Sequence, residues 1–532
     1  MEQNNRTAKA ALLPALAALL LLLLVYWARV RLLAVPMERD EGEYAYGGQL
    51  LLQGLLPYLH LHTMKLPGIF AVYASIFTVF GESLRAVHLG LLIANVAAAG
   101  LLYAIGARLY NRSTGIGAAL FFAVLAVLPE VQGVFANAEH FVLVFALAGI
   151  LALLPPAGRA ITGGRAFAAG LLLGCGFLVK QHGAAFCLLG AIIVLLEREP
   201  RGRRLRNLAA LTAGGILPYL VTLAALAAGG GLDAFWFWTV SYARAYSGIL
   251  SASDAWFEFK DRIVTIGGAA PFIWLLALGG LAAGGESRRG RLLPPAFFLF
   301  SFLAVCPGFY FRPHYFLFLL PAAALFAAVA ADRLRAGLAG AYPVLASAAL
   351  ALLFALAGGS ALYAQRAFLF TLPMDEASRE VYWPNPFQES LEIGRIIAER
   401  TTPADTVAIL GSEPQIFFYA KRRSATPYVY MYPLMEQHRY ASAMQQDMIR
   451  QLEAARPKIM LFVRVQFSWL QGPQSDTTVL QWFDTYSRQH YRRVGLVQIF
   501  GDASLMDWNN PSGLQPRTPY WVEVLERVDP QG

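Results

Sequence analysis

The chain has 532 residues, of which 57% are hydrophobic and only 14% are charged, and its mean hydropathy is +0.49. A soluble protein carries roughly a quarter charged residues, so this composition excludes an ordinary soluble protein. The net charge of +9 comes with arginines that cluster between apolar runs, where they act as topology signals. Nucleic-acid binding is therefore not expected. Three cysteines in or beside apolar runs argue against a disulfide framework or a zinc site.

Apolar runs of about 20 residues predict about eleven transmembrane helices. The first run, from Ala10 to Tyr26, lacks a small-residue cleavage site and is therefore interpreted as a retained span rather than a signal peptide. The predicted spans lie near residues 10–28, 85–107, 114–129, 139–155, 165–179, 183–197, 207–228, 264–284, 293–306, 315–331 and 341–364.

Alternate short connections between these spans hold sixteen basic residues, beginning with Arg6 and Lys9. The positive-inside rule places such connections in the cytoplasm. An odd number of spans then predicts a cytoplasmic N-terminus and an extracytoplasmic C-terminus. Arg29 and Arg31 follow the first span on the opposite side and are exceptions to this pattern.

The side chains capable of chemistry fall on the predicted outer side. The cytoplasmic connections hold little besides arginine and small residues, so we expect the functional site at the outer face. The outer segments in question are residues 37–44, 137–140, 180–182, 229–262 and 311–316.

The segment after Arg366 has more charge, more proline and no apolar run long enough to span a membrane. Its apolar patterning predicts strands separated by helical stretches. We therefore predict a transmembrane domain over residues 1–365, with a first outer loop at 29–84, and a small extracytoplasmic α/β domain over 366–532. The predicted strands lie at 406–410, 459–463, 494–500 and 520–525, and the clearest helix lies at 441–455.

The first outer loop concentrates charge directly after a span. Asp40, Glu41 and Glu43 lie within four residues, and carboxylates at a membrane face are costly unless they are paired or solvated. The stretch 43–56 is predicted to form an amphipathic helix along the membrane interface. Lys65 follows some 25 residues after Asp40. The plainer interpretation of these residues is a set of solvated loop charges.

Several of these motifs resemble a known family. The stretch D-E-G-E-Y-A-Y at 40–46, followed by M-K-L-P-G at 64–68, is similar to the first periplasmic loop of bacterial GT-C glycosyltransferases of the protein O-mannosyltransferase and aminoarabinose transferase group. Further matching elements occur in the same order and on the same predicted side. They are N-A-E-H at 137–140, F-L-V-K-Q-H-G at 177–183, R-P-H-Y-F-L-F-L-L-P at 312–321 and G-S-E-P-Q-I-F-F-Y at 411–419.

The resemblance implies an inverting glycosyltransferase of the GT-C fold that uses a polyprenyl-phosphate-linked sugar. Asp40 matches the family's catalytic acid position and is the expected general base, while Glu41 would orient the acceptor or a neighbouring cation. Lys65 matches the lysine that contacts the carrier phosphate. The other residues expected to bind the carrier phosphate or the sugar are Lys180, Glu139, His182, Arg312, His314 and Tyr315.

Each of these binding residues also has a structural interpretation. Lysines at span ends often extend to the interface, a carboxylate such as Glu139 is favoured at a helix start, and Arg312 and Tyr315 fit an interfacial belt. Four histidines lie on the outer side, but no H-E-x-x-H or cysteine pattern accompanies them. The D-E pair also departs from the D-x-D arrangement of metal-dependent oligosaccharyltransferases. We therefore expect no cofactor and no catalytic metal.

Other functions remain open at this point. The acceptor can be a protein, a glycan or a lipid, and a polysaccharide polymerase or a lipid-A-modifying transferase would share the chemistry. The chain reads D-E-G-E-Y-A-Y where the lipid-A branch reads D-E-x-R-Y-A-E, which puts an aminoarabinose substrate in doubt. A lipid-linked sugar transporter or flippase would place ionisable groups inside the spans, where we find only His88. The expected location is the bacterial inner membrane.

Overall fold

The computed structural model describes residues 2–156, 158–246, 251–283, 287–509 and 511–528. The side chains of residues 1–11 and 512 are not described, so Arg6 and Lys9 lie outside the described side chains, as do residues 247–250 of the predicted outer segment 229–262.

The first two thirds of the chain form a helical bundle. A 3₁₀ segment at Pro313–Leu319 leads into its central helix, α15. The helices are α1 (Glu2–Arg31), α2 (Arg39–Leu52), α3 (Gly68–Phe80), α4 (Leu84–Leu109), α5 (Arg112–Leu125), α6 (Ala138–Ala152), α7 (Gly163–Val179), α8 (Ala184–Leu196), α9 (Arg201–Ala228), α10 (Leu232–Trp236), α11 (Ala243–Tyr246), α12 (Ala252–Ala269), α13 (Pro271–Ala283), α14 (Arg288–Val305), α15 (Leu320–Ala339) and α16 (Pro343–Ala364).

Burial orders this bundle from centre to rim. In the most apolar 18-residue stretch of Pro313–Ala339, 89% of the residues are buried, whereas in that of Arg201–Ala228 only 11% are buried. The segment that ends in α15 therefore lies at the centre, while α9 presents most of its apolar surface outward. An apolar helix surface without a protein partner is what a lipid-facing helix requires.

Five of the described helices are long and apolar enough to cross a membrane, and a sixth span is possible if α12 and α13 count as one. The shorter apolar helices α3, α5, α6, α7 and α8 are not counted among them. The protein is thus multi-pass, and the predicted number of eleven spans remains a prediction.

The predicted span at 264–284 is wrong as a single helix. The chain turns by 103° between α12 and α13, because Pro271 lacks the amide hydrogen that would continue α12 and instead begins α13. The preceding outer segment, predicted as a loop, contains α10, α11 and most of α12.

Residues 366–532 contain a six-stranded mixed sheet in the order β2-β1-β3-β6-β4-β5. The pairs β1–β2 and β1–β3 are parallel, and β3–β6, β6–β4 and β4–β5 are antiparallel. The strands are β1 (Thr406–Leu410), β2 (Arg423–Ser424), β3 (Ile459–Arg464), β4 (Tyr491–Ile499), β5 (Ser504–Asp507) and β6 (Trp521–Arg527), and the helices are α17 (Met374–Tyr382), α18 (Glu389–Arg400), α19 (Pro414–Ala420), α20 (Tyr432–Met435), α21 (Ala441–Ala455) and α22 (Thr478–His490).

The predicted fold class is confirmed: a polytopic helical membrane protein with a small C-terminal sheet domain. The apolar runs mark this sheet well because β1 and β3 are buried over residues 407–410 and 459–463, and β4 is buried over residues 494–499. Two of the six strands, β2 and β5, are short and had no apolar signal of their own.

Candidate active site

Asp40 lies in the first turn of α2 and points toward the C-terminal sheet domain. The helix begins at a capping box, in which the Glu38 carboxylate accepts the backbone N–H groups of Asp40 and Glu41. The Asp40 Oδ1 atom lies 2.7 Å from Lys65 Nζ and 2.8 Å from the Tyr430 hydroxyl. Among the described residues, none hydrogen-bonds to Oδ2, and 26% of the side chain is exposed. One oxygen of Asp40 is thus held and the other is open.

The charge balance at Asp40 favours the carboxylate. Burial alone would raise its pKa, but the Lys65 ammonium and, more weakly, His314 and Lys180 outweigh that cost and hold the pKa of Asp40 below its usual range. Lys65 also contacts Glu43. Burial raises the pKa of Glu43, and Lys65 only partly offsets this effect.

Lys65 itself is firmly cationic. Burial would lower the pKa of its ammonium, but Asp40 and Glu43 together raise that pKa above its usual value. The ammonium also lies 4.5 Å from the centre of the Tyr44 ring and 5.2 Å from that of Tyr430. Lys65 therefore connects the segment that precedes α3 to two carboxylates of α2, those of Asp40 and Glu43.

Glu41 occupies a different environment from Asp40. Its side chain is fully buried, and its Oε2 accepts the backbone N–H of Glu38. Its Oε1 lies 3.0 Å from His88 Nε2 and also accepts the backbone N–H of Ala136. Both oxygens are therefore occupied within the protein. This arrangement fixes the start of α2 against α4, and the role expected for Glu41, to orient the acceptor or a neighbouring cation, stays a prediction.

A second charged cluster lies beside the first. Lys180 pairs with the fully buried Glu139, and its ammonium lies 4.4 Å from the centre of the Tyr315 ring. His314 Nε2 is 4.0 Å from Glu139 Oε1. The second oxygen of Glu139 and both side-chain polar atoms of Asn137 are buried without a hydrogen-bond partner among the described residues. Such groups call for a polar ligand or water.

His182 and Arg312 complete this side of the site. The Nδ1 atom of His182 lies 2.7 Å from the carbonyl oxygen of Ala304, and its ring packs against Tyr315 at 4.6 Å, so His182 supports the tyrosine. Arg312 is exposed, and its guanidinium lies 5.5 Å from the centre of the Tyr310 ring. The guanidinium of Arg312 makes no hydrogen bond or ion pair within the described part of the chain. It is a cation available to an anionic ligand.

The structure thus brings together all of the residues expected from the sequence except Glu41, which faces inward. Sequence reasoning missed two contributors. Glu43 lies in the same motif as Asp40, and its proximity in sequence to Asp40 is the signal that could have indicated a role at the site. Tyr430 is 390 positions away from Asp40, and no sequence pattern connects the two residues.

The sheet domain is bound tightly to α2. Arg39 forms an ion pair with Glu413 at 2.7 Å and donates to Asn385 at 2.8 Å. A Cβ atom on Gly42 would lie 2.5 Å from the backbone nitrogen of Gln415, so only glycine permits this approach of α2 to α19. The segment 411–419, which resembles the family, is therefore one of the parts of the domain that pack against the site.

No group of three or more histidine, cysteine, aspartate or glutamate residues with the geometry of a metal site occurs among the residues that the structure describes. The acidic side chains at the site are instead paired with lysines. The chemistry that this arrangement offers is a carboxylate with a free oxygen beside several fixed cations.

The fold and this site define a class. The structure is similar to ArnT from Cupriavidus metallidurans bound to undecaprenyl phosphate, with a TM-score of 0.56 and 14% identity over 84% of this chain and 93% of that chain. It is also similar to the archaeal oligosaccharyltransferase AglB from Archaeoglobus fulgidus in complex with an inhibitory peptide and a dolichol-phosphate, with a TM-score of 0.52 and 12% identity over 93% of this chain and 75% of that chain. The chain has the GT-C fold of membrane glycosyltransferases.

Part of the chain also matches a family model by sequence. The model of the dolichyl-phosphate-mannose-protein mannosyltransferase family matches residues 64–227. No curated protein matches the chain. The family match and the fold together confirm the resemblance to GT-C glycosyltransferases with a mannosyltransferase-like and ArnT-like fold.

Proposed function

We propose that this protein transfers a sugar from a polyprenyl-phosphate carrier to an acceptor hydroxyl at the outer face of the bacterial inner membrane. The observation that supports this most directly is the geometry of Asp40: Lys65 and Tyr430 hold one carboxylate oxygen, while the other is open. The similar proteins were solved with undecaprenyl phosphate and with dolichol-phosphate, which is consistent with a lipid-phosphate donor here.

Asp40 is the proposed general base. The acceptor oxygen attacks the anomeric carbon, the bond from that carbon to the phosphate oxygen breaks, and the acceptor proton passes to Asp40 Oδ2. The electron pair of the broken bond leaves with the polyprenyl phosphate. Attack from the face opposite the phosphate inverts the configuration at the anomeric carbon.

The leaving phosphate needs cations to stabilise its charge. Lys65 and Lys180 are already in ion pairs with carboxylates, whereas Arg312 is not. Arg312 is free of ion pairs among the described residues and is the proposed primary contact, because a guanidinium can bind a phosphate through two N–H groups. Lys180, His314 and Tyr315 line the same side. We propose that Glu139 Oε2 and Asn137 Oδ1 accept hydrogen bonds from hydroxyl groups of the sugar and that Asn137 Nδ2 donates one, because these buried atoms have no partner among the described residues.

Lys65 links the two halves of the reaction. It has three N–H donors, of which Asp40 and Glu43 use two. The third is available to the carrier phosphate. When Lys65 turns toward that phosphate, its hold on Asp40 weakens, and the pKa of Asp40 rises toward the range in which a carboxylate is a more effective base.

The test is a transfer assay with purified full-length protein in nanodiscs. Undecaprenyl phosphate carrying radiolabelled mannose, glucose, galactose or aminoarabinose is supplied with membrane extract, and the label is followed into protein, glycan and lipid fractions. We expect one donor to label one fraction, with Asp40→Asn as the background control. Extension of a long glycan would identify a polymerase. No transfer from any donor, in protein that binds undecaprenyl phosphate and translocates the lipid, would instead support a flippase.

A further inference from the structure

Three tyrosines alternate along residues 428–432 of the sheet domain, and their hydroxyl groups have different partners. Tyr428 donates to Asp447 at 3.1 Å, and Tyr432 donates to the carbonyl oxygen of Phe467 at 2.8 Å. Both of these partners belong to the sheet domain. Tyr430 instead donates to Asp40 on α2, at 2.8 Å. It is the tyrosine of this segment that connects the sheet domain to the proposed base.

The hydrogen bonds at Asp40 are unevenly distributed. Lys65 Nζ and the Tyr430 hydroxyl both bind Oδ1, and they approach the carboxylate from two different segments of the chain. Two donors on one oxygen restrict rotation of the carboxylate about its Cβ–Cγ bond. The position of Oδ2 is then determined, although Oδ2 itself has no partner among the described residues.

The Tyr430–Asp40 pair is anchored by a common neighbour. Ser412, which is fully buried, accepts the Nε–H of Arg39 at its backbone carbonyl and the backbone N–H of Met431 at its hydroxyl. Arg39 precedes Asp40, and Met431 follows Tyr430. Ser412 therefore fixes the backbone of the chain next to both Asp40 and Tyr430. The contact between Tyr430 and Asp40 is thus supported by buried hydrogen bonds on both sides.

We propose that Tyr430 is a positioning residue for the transfer reaction: its hydroxyl, together with Lys65 Nζ, holds Oδ1 of Asp40 so that Oδ2 faces the acceptor hydroxyl. This inference rests on the proposed function, since it depends on Asp40 as the base. It also assigns a role to the C-terminal domain, which completes the active site of the membrane domain.

The expected pH effect takes account of every charged or titratable group around Asp40. Removal of the Tyr430 hydroxyl leaves Lys65 as the direct donor to Oδ1 and leaves the rest of this environment unchanged. Because a hydrogen bond to the carboxylate favours its ionised form, its loss raises the pKa at which Asp40 becomes protonated. The surrounding groups are Glu38, Glu41 and Glu43 on α2 or its cap, Tyr44, Lys65, Tyr73, Glu139, Lys180, Arg312, His314, Tyr382, Tyr430 and Tyr432.

The test compares Tyr430→Phe with Tyr428→Phe in full-length protein, using the labelled undecaprenyl-phosphate sugar that the wild-type enzyme turns over. Both changes remove one phenol hydroxyl from a tyrosine–aspartate hydrogen bond. We expect Tyr430→Phe to lower kcat by roughly 10- to 100-fold and to move the acidic limb of the kcat profile upward by about one pH unit. Tyr428→Phe should change neither. Affinity for undecaprenyl phosphate alone should stay at the wild-type value in both variants.

A double variant separates positioning from a general structural role. In an Asp40→Asn background, Tyr430→Phe should cause no further loss of the residual rate, because its effect acts through the carboxylate. A further loss of tenfold, or a Tyr430→Phe profile that superimposes on wild type, would overturn the inference. If Tyr430→Phe is too unstable to assay, the same cycle is measured in thermal stability, and independent effects of the two changes would overturn it equally. A wild-type enzyme that transfers no sugar contradicts the proposed function itself.

Discussion

At the scale of single residues, the two basic side chains that disagreed with the predicted topology have structural partners. Arg29 donates to the carbonyl oxygens of Ala126 and Gly133 and to Asn95 Oδ1, at distances of 2.6–3.2 Å. Arg31 donates to the carbonyl oxygen of Phe368 at 2.9 Å. These guanidinium groups satisfy buried carbonyls at the C-terminal end of α1. Their positions therefore follow from hydrogen bonding, and they carry little information on sidedness.

The first prediction concerns Asp40→Asn. Asparagine preserves the shape of the side chain but cannot take a proton near neutral pH, so transfer should fall by about 10²–10⁴-fold. Binding of undecaprenyl phosphate should persist. The matched control is Asp447→Asn, because Asp447 also accepts a tyrosine hydroxyl but lies away from the site. Near-normal transfer by a folded Asp40→Asn protein would show that the base is another residue.

The second prediction concerns Arg312→Gln, measured as affinity for undecaprenyl phosphate. Loss of a charge-assisted contact to a phosphate should weaken binding by about 1.5–3 kcal/mol, or roughly 10- to 150-fold. The control is Arg439→Gln. Like Arg312, Arg439 is exposed and lies over a tyrosine ring. Unlike Arg312, it belongs to the sheet domain and not to the helical bundle. Equal affinity for all three proteins would remove Arg312 from the binding site.

At the scale of secondary-structure elements, α2 differs most from its predicted setting. The stretch 43–56 was predicted to lie along the membrane interface, but α2 spans Arg39–Leu52, and most of its residues are buried. The reason is tertiary: α3 packs on one side, and α19 of the sheet domain covers the other. Most apolar residues of α2, such as Tyr44 and Leu50, therefore pack against protein, whereas Leu52 at the end of the helix is exposed.

The third prediction follows from this packing. Gly42→Ala would place a methyl group 2.5 Å from the backbone of Gln415, so α2 and α19 must separate. We expect a loss of stability of about 1–3 kcal/mol and reduced transfer, measured by thermal unfolding and by the donor assay. Gly100→Ala is the control, because a methyl group on Gly100 of α4 meets no atom within 4 Å. Wild-type stability of Gly42→Ala would contradict the close contact.

The fourth prediction concerns the contact between residues 232–246 and the sheet domain. Tyr242 donates to Glu436 at 2.7 Å. Burial raises the pKa of Glu436 to about 7, although Tyr242 and Arg312 partly oppose this rise. In the unfolded chain the pKa of a glutamate is about 4.3, so folding favours the neutral form of Glu436. The contribution of neutral Glu436 to the stability of the folded protein is fully present below about pH 4.3 and is lost as the pH rises through about 7.

The variant Glu436→Gln stays neutral and can still accept the tyrosine hydroxyl. It should therefore match wild type near pH 4 and become more stable than wild type by on the order of 1–3 kcal/mol at pH 8, as measured by thermal unfolding across this range. Glu453→Gln is the control, because Glu453 is exposed and also accepts a hydrogen bond from an aromatic side chain, Trp482. A difference in stability between Glu436→Gln and wild type that stays constant from pH 4 to pH 8 would contradict the raised pKa of Glu436.

At the scale of the whole molecule, the fifth prediction concerns topology. The basic connection that contains Arg288, Arg289 and Arg291 is expected in the cytoplasm, and the sheet domain outside. Gly290 is buried in the structure, so the exposed Ser287 is the better position for a label, together with the exposed Gln474. In intact cells, an impermeant thiol reagent should label Gln474→Cys but not Ser287→Cys. The reverse result would place the proposed active site in the cytoplasm.

The sequence by itself determined the features that depend on local patterns. Apolar runs marked most of the membrane helices, and alternating or continuous apolar residues marked four of the six strands, because burial of these segments requires that composition wherever they pack. Motif order and predicted sidedness indicated Asp40, Lys65, Glu139, Lys180 and the 312–315 segment. These residues do meet in the structure, since each motif lies at the end of a helix that packs into the same bundle.

The tertiary structure alone decided what each of these residues contacts. Asp40 and Glu41 are adjacent and chemically alike, yet the turn of α2 directs one toward Lys65 and Tyr430 and the other toward His88 and the buried interior. Tyr430 reaches Asp40 only because the sheet domain packs on α2 through Arg39 and Ser412. Such contacts join segments nearly 400 residues apart, and no local pattern encodes them, because they depend on how whole elements pack and not on the residues beside each one.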